Sequence, residues 1–427
     1  MLNAKGQREL AYVVRVGSVE PIIGRDRVEC AHVGGWTCMV PKGAFKPNDL
    51  GIYFEIDSKI DANKPEFAFT QKYHGRIKTQ KFTVRDAKGN KIGAFYSQGL
   101  LMSPYDFGWS IETCEDFCLA VVDERGERHR AYSDSDEADD SFLTSKLGVT
   151  YNNPMDNIRE STRTNPNAKY QRMMNRHPKL AKSRFGRWCM RHTVLKKILY
   201  TLLGGDKKNA PKKWPEWVVK TDEERIQNCY STVANLDTHW IGTEKRDGTS
   251  TTMTLKRSGK KLQYLVCSRN VVMDDRQEGA WYDTNVYTEM SAKYDIQEVL
   301  ESLITDEMDF VTLQGETFGE GIQKRDYGLR EHVFEAFNLI FGYKDGRRVR
   351  LNPVEMKSVL ERYKVPTVPV ILEDIDIQGM TCGEILDLAH GRAADYGGLR
   401  EGIVFRSTDG THSFKAVDNE FIMKFHD

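Results

Sequence analysis

At 427 residues the chain is longer than one ordinary core serves, so two domains are expected. An apolar fraction of 39% beside 29% charged residues argues against a disordered or a membrane-embedded chain, and no apolar run reaches the roughly 18–20 residues that cross a bilayer. Lys plus Arg and Asp plus Glu stand at 62 each, so net charge by itself points to no polyanionic partner.

The first residues, MLNAKGQRELAYVV, lack the charged-then-apolar plan of a signal peptide, and a cytoplasmic, intracellular protein (host cytoplasm if viral) is expected. From residue 9 short alternating runs follow one another: ELAYVVRVGSVEPI, VECAHV, WTCMV and GIYFEID, broken at Gly24–Arg27 and Gly34–Gly35. KTQKFTVRDAKGNKIGAFYSQGLLM continues the pattern, with a hairpin turn at Lys88–Asn90. Short strands at near-regular spacing predict an OB-type barrel over 1–105. Residues 106–213 read as an extension and basic linker. Its acidic loop holds Asp134, Asp136, Glu137, Asp139 and Asp140, and 159–213 carries sixteen Lys or Arg against Glu160 and Asp206 alone. Such segregation is what an electrostatic footprint for phosphates looks like. Apolar positions Leu180, Phe185, Trp188, Leu195, Leu199 and Leu202 predict one helix over 179–203, ended by Gly204–Gly205. It is either a linker helix with a solvated basic face or an element that tracks phosphates.

From 214 onward strands are expected at THWIGTEK, TSTTMTLKR, QYLVCSR, FVTLQGETF, HVFEAFNLI and EGIVFR, and helices at 222–235, 291–303, 353–362 and 382–396. Strands grouped with inserted helices predict an α+β fold for 214–427. The eight cysteines form no Cys-x-x-Cys pair, so reduced thiols are expected rather than a zinc site, and the ten histidines form no triad or metal spacing.

Within this last region stand, in order, TEKRDGTS at 243–250, SRN at 268–270, LQGETFG at 313–319, HVFEAFNL at 332–339, EGIVFR at 401–406 and SFKAVDNEFIMK at 413–424. The set resembles the covalent nucleotidyltransferase superfamily of ligases and capping enzymes. The resemblance implies that Lys245 attacks the α-phosphorus of ATP and carries a lysyl-AMP. A free lysine is almost all ammonium at neutral pH, so the amine needs desolvation or neighbouring positive charge to become a nucleophile. A divalent metal, Mg2+ or Mn2+, supplies such charge and prefers oxygen ligands, and Asp247 and Glu401 resemble the carboxylates that hold it. Glu244 and Gly248 flank the lysine in its motif and are expected at the nucleotide; the glycine lets backbone approach closely. Arg269 and Asn270 are expected on phosphate or ribose oxygens, Glu316 on the ribose hydroxyls, and Phe334, with Phe337 as its rival, stacked on adenine. Lys415 and Lys424 fall where the family clasps the α-phosphate; the usual Lys-x-Lys is absent here. VVKTDEERIQN at 218–228 also matches, with Lys220 and Glu224 as pocket candidates and Asp222 as a helix cap or pocket residue.

DNA ligases and capping enzymes carry an OB barrel after the last lysine segment. Here the sequence ends three residues after Lys424 and the barrel is expected at the front. AYVVRVGSVEPIIGRDRVECAHVGGW at 11–36, KGAFKPNDLGIYFEIDS at 42–58 and YSQGLL at 96–101 look like the branch of bacterial, viral and protist RNA ligases with an N-terminal OB domain. That branch implies an RNA partner with 3′-hydroxyl and 5′-phosphate ends at a nick in a duplex; no membrane partner and a monomer are expected. Trp36, Lys42, Lys46 and Arg76 are candidates for the nucleic-acid surface, Trp36 alternatively for barrel core. Segments 119–142 and 159–212 look like insertions whose role does not carry over. The rival readings are a GTP-dependent guanylyltransferase and a non-catalytic RNA-binding protein of the same fold.

Overall fold

A computed structural model describes residues 9–85, 88–110, 120–122, 128–130, 143–151, 180, 183–203, 214–220, 223–259, 261–269, 271–273, 285–323 and 325–426. The acidic loop at 134–140, Asp222 and Asn270 lie outside these residues.

Nine strands build the front of the chain: β1 (Ala11–Arg15), β2 (Ser18–Pro21), β3 (Val28–Val33), β4 (Trp36–Pro41), β5 (Leu50–Phe54), β6 (Ser58–Lys59), β7 (Gln80–Arg85), β8 (Lys91–Ser97) and β9 (Leu100–Met102). They pair as β1-β5-β9, β2-β3-β4 and β7-β8. Thr37 ties β4 to the β8–β9 segment, its hydroxyl donating to Tyr96 O at 2.7 Å and its carbonyl accepting from Gln98 N at 2.7 Å. These pairings lay out the small barrel that the strand spacing predicts. Tyr12 and Val14 face inward onto Trp36, Cys38 and Tyr53, while Ala11 and Val13 face a second cluster with Ile52, Phe54 and Phe67. β1 is thus buried on both faces, which explains its unbroken apolar run.

Next come three short strands, β10 (Ala120–Val122), β11 (Arg128–Arg130) and β12 (Thr150–Tyr151), and a one-turn helix α1 (Leu143–Lys146). The helix expected over 179–203 is two helices, α2 (Arg184–Arg191) and α3 (Thr193–Leu202). They break at His192, whose backbone is extended (φ −106°, ψ 121°), and Ser183 caps the first by accepting from Gly186 N at 2.9 Å.

The rest is α+β. β13 (Trp240–Lys245), β20 (Val370–Ile375), β21 (Gly402–Ser407) and β22 (Ser413–Val417) form a four-stranded sheet ordered β20-β13-β21-β22. β14 (Thr249–Ser258), β15 (Lys261–Cys267), β16 (Val272–Met273), β17 (Met308–Phe318), β18 (Val333–Tyr343) and β19 (Arg348–Arg350) form a six-stranded sheet ordered β16-β15-β14-β17-β18-β19. Helices α4 (Ile226–Val233) and α8 (Cys382–Ala389) cover one face of the smaller sheet, burying Trp240, Ile403, Phe405 and Phe414. Helices α5 (Val286–Lys293), α6 (Ile296–Leu303) and α7 (Pro353–Glu361) cover one face of the larger, burying Met253, Leu313, Phe334 and Leu339. The single helix expected over 291–303 divides because Asp295 takes a left-handed backbone (φ +49°), which a helix interior does not admit. The uncovered faces of the two sheets meet, and the turn 246–248 carries the chain from one to the other. No helix among the described residues is long and apolar enough to cross a membrane.

Candidate active site

Lys245 ends β13, and its neighbours are set by strand register. Lys245 pairs with Gly402, which pairs with Val417; one step back, Thr243 pairs with Val404, which pairs with Lys415. Because alternate residues share a face, Lys245, Thr243, Arg406 and Lys415 all point to the side free of helices. Glu401, one residue before β21, is buried and accepts from Lys245 Nζ at 2.8 Å. Asp247 is buried in the connecting turn, its N–H donating to Tyr327 Oη at 2.7 Å. Glu316 comes from β17 of the larger sheet, opposite Ser250. A Cβ on Gly248 would lie 2.3 Å from Thr317 O and 3.0 Å from Glu316 Cγ, so only glycine lets the turn settle against β17.

These groups set one another's protonation. Burial draws the Lys245 ammonium down, but Glu401, Glu316 and Asp247 outweigh it, and its pKa lies above the ordinary lysine value. Burial first, then Glu401 and Asp247, push the Glu316 carboxyl up to about 8 against the opposing pull of Lys245 and Arg269. Arg269 is exposed but near enough to act on Glu316. Among the described residues no three His, Cys, Asp or Glu side chains are arranged to hold a metal ion.

Below the lysine lies a second constellation that sequence reasoning missed, centred on buried Arg246 and reaching the surface at Asp395. Arg246 donates to Glu335 Oε2 at 2.7 Å, to Asp395 Oδ2 at 2.9 Å, and to Glu244. Phe318, Tyr327 and Tyr396 surround its guanidinium, with ring centres 4.9–5.8 Å from Cζ. Glu244, expected to contact nucleotide, is committed here instead: its second oxygen accepts from Ala394 N at 2.7 Å. Residue parity explains this, since Glu244 and Arg246 share the face that Lys245 does not. Arg406, also missed, spans the two sheets, donating to Asn338 Oδ1 at 3.1 Å and Thr243 Oγ1 at 3.3 Å, with Glu223 3.5 Å away. Burial lowers its pKa to about 10. Both arginines sit inside the motifs TEKRDG and EGIVFR, so alternation along those strands was the available signal.

Phe334 is fully buried among Leu313, Leu339 and the covering helices, and is not placed to stack on a ligand. Gly315 pairs with Ala336 and Gln314 with Asn338, which leaves Phe337 on a β-bulge. Phe337 lies on the face opposite Phe334, half-buried, 5.9 Å from the Arg406 guanidinium. Lys220 is exposed at the end of a segment laid over the larger sheet, where Gln314 Nε2 donates to Val219 O at 2.7 Å and Trp217 Nε1 to Thr254 Oγ1 at 3.2 Å. Lys415 N donates to Glu224 O at 2.7 Å, which joins the 223–225 segment to β22. Lys424 is exposed on the terminal turn, its ammonium 5.1 Å from the Phe425 ring centre.

On the barrel, Trp36 is fully buried and donates to Asn228 Oδ1 of α4 at 2.9 Å, so it anchors the two domains rather than offering a stacking surface. Lys42 and Lys46 are exposed, and half-buried Arg76 pairs its backbone with Lys59. Further ties between domains are Lys81 to Glu420 at 2.5 Å and Gln98 Nε2 to Asn419 Oδ1 at 2.8 Å, both on the segment that follows Lys415.

Residues 238–426 match the RNA ligase family model, and residues 10–104 match an OB-fold domain model. No curated protein matches the chain. Among solved structures it is similar to Naegleria gruberi RNA ligase with pyrophosphate, at 25% identity and a TM-score of 0.65, over 98% of this chain and 99% of that one. It is also similar to a point mutant of that ligase with ATP and manganese, at 26% identity and a TM-score of 0.64, over 98% and 100% of the two chains. The chain therefore carries an RNA ligase domain at 238–426 behind an N-terminal OB-fold domain at 10–104.

Proposed function

We propose that the protein is a monomeric, intracellular ATP-dependent RNA ligase that joins a 3′-hydroxyl to a 5′-phosphate at a nick in a duplex, with 1–105 and 214–427 as its two working domains and 106–213 between them. The observation that carries this is Lys245 Nζ held 2.8 Å from Glu401 in a cleft that Glu316 and Asp247 share. Lys245 attacks the α-phosphorus of ATP; an N–P bond forms, the bond to pyrophosphate breaks, and the amine proton leaves, Glu401 being the nearest base. An oxygen of the RNA 5′-phosphate then displaces the lysine, giving a 5′–5′ linkage, and the 3′-hydroxyl displaces AMP. Lys415, on the same face as Lys245, and exposed Arg269 and Lys424 neutralise phosphate oxygens. Lys220 and half-buried Phe337 line the base end, and Glu316, protonated at neutral pH, offers a hydrogen bond to ribose.

The donor set suits a hard divalent cation: Asp247 and Glu401 are oxygen ligands, and Glu316 is forced toward its neutral form partly by their crowded negative charge. Asp247 and Glu401 would hold an ion such as Mg2+ or Mn2+, which prefers carboxylate and phosphate oxygens. Bound there, such an ion supplies the positive charge that the raised Lys245 pKa says the side chains lack.

The test is mass spectrometry after incubation with magnesium and ATP or GTP, for wild type and Lys245→Ala, followed by sealing of nicked duplexes with ribose or deoxyribose at the 3′ side. An AMP adduct on Lys245 and sealing are expected. A GMP adduct would favour a guanylyltransferase, and no adduct would overturn the reading.

A further inference from the structure

The helix pair α2–α3 lies in a segment to which the family resemblance assigns nothing. It carries one apolar face that it does not bury. Cys189 and Gly186 turn inward, whereas Phe185 and Trp188 are 59% and 51% exposed and His192 is exposed beside them. The rings form a row: Phe185 and Trp188 centres are 6.2 Å apart at 35°, and Trp188 and His192 are 5.0 Å apart at 59°. Phe185 and Trp188, at i and i+3, lie on one side of α2, and His192 follows where that helix ends, so the row runs along one face and past its C-terminus. Exposing two such rings together is unfavourable for a surface with no partner.

Charge indicates the partner. Residues 183–203 contain Arg184, Arg187, Arg191, Lys196 and Lys197 and no acid, inside a stretch of sixteen cations against two acids. Exposed Lys197 and half-buried Lys196 open α3 just beyond the ring row. Aromatic rings interleaved with cations bind single-stranded nucleic acid, rings stacking on bases and cations tracking phosphates. We propose that α2–α3 is an RNA-docking element, which takes unpaired bases of the strand on Phe185, Trp188 and His192 and its phosphates on Lys196 and Lys197. This extends the ligase reading, since it assumes RNA as substrate, but it concerns binding and not the chemistry at Lys245.

The experiment measures affinity for a single-stranded and a nicked RNA by fluorescence anisotropy at two salt concentrations. It compares wild type, Phe185→Ala/Trp188→Ala and Lys196→Glu/Lys197→Glu, with AMP labelling in parallel. The aromatic double variant should bind single strands at least about tenfold more weakly, from ~1–3 kcal/mol per stacked base. The lysine variant should weaken binding and flatten the salt slope by about 1.4, at ~0.7 per lost phosphate contact. AMP labelling should be unchanged in both. Unaltered RNA affinity in both variants overturns the proposal. So does loss of labelling together with binding, which marks a structural role. A wild type that binds RNA through these residues yet never takes AMP would sink the ligase reading and leave this one standing.

Discussion

Lys245 Nζ and Glu401 Oε2 lie 2.8 Å apart because β13 and β21 are paired in the register that sets Lys245 against Gly402. A slip of one residue would turn the lysine to the helix-covered face. The same pairing that builds the sheet therefore builds the ion pair, and the ion pair keeps the amine charged until phosphate and cation oppose the carboxylates.

Removing that carboxylate has a signed consequence. Glu401 raises the Lys245 pKa, so in Glu401→Gln the amine should titrate at lower pH. The pH profile of adduct formation should shift to the acid side, while the rate at its plateau falls about 100-fold or more through loss of the base. An unshifted profile removes Glu401 from the amine's electrostatics.

Glu316 makes a separate pH prediction. Its folded pKa, about 8, lies above its unfolded 4.5, so the folded protein holds the extra proton between these values. The stability this group contributes is full below about pH 4.5 and is lost as pH rises through about 8. In melts of ligand-free protein, Tm should fall more steeply from pH 5 to 9 in wild type than in Glu316→Gln. Parallel slopes would disprove the raised pKa.

Arg246 neutralises Glu244 and Glu335, all three of them buried. Arg246→Met should lower unfolding free energy by about 3–5 kcal/mol, since it strands buried carboxylates. Urea denaturation would detect this, and a loss under 1 kcal/mol would mean that the acids simply protonate.

Phe334 and Phe337 should behave oppositely. Phe334→Ala should cost about 3–5 kcal/mol of stability by opening a core cavity. Phe337→Ala should leave the melting curve almost intact but raise KM for ATP in the adduct assay, and an unchanged KM would exclude it from the base end.

Gly248→Ala tests the turn. A Cβ 2.3 Å from Thr317 O has backbone as its obstacle, so β17 or the turn must move. A loss of about 1–3 kcal/mol and a marked fall in adduct yield are expected. Wild-type yield would show that the turn has slack.

Much of this was legible in residues alone. Alternation located β13, β14, β17, β18 and β21 to within a few residues, and the order of the motifs carried the family. The assignment of Phe334 to adenine failed, and Trp36 took its alternative place in the barrel core, both for physical reasons. A bulge at Phe337 inserts one residue into the count of two, so parity counted from one end of β18 misassigns the other. Trp36 looks the same in sequence whether its ring meets solvent or meets Asn228, 192 positions away.

By itself, then, the sequence determined which residues could do the chemistry, because periodicity and residue type are local and survive without a partner. Only the tertiary structure decided which carboxylates reach the lysine, that Glu244 belongs to Arg246, and that Arg406 spans the sheets. Those outcomes depend on which strands become neighbours, and that is settled by burial of the whole chain rather than by any one segment.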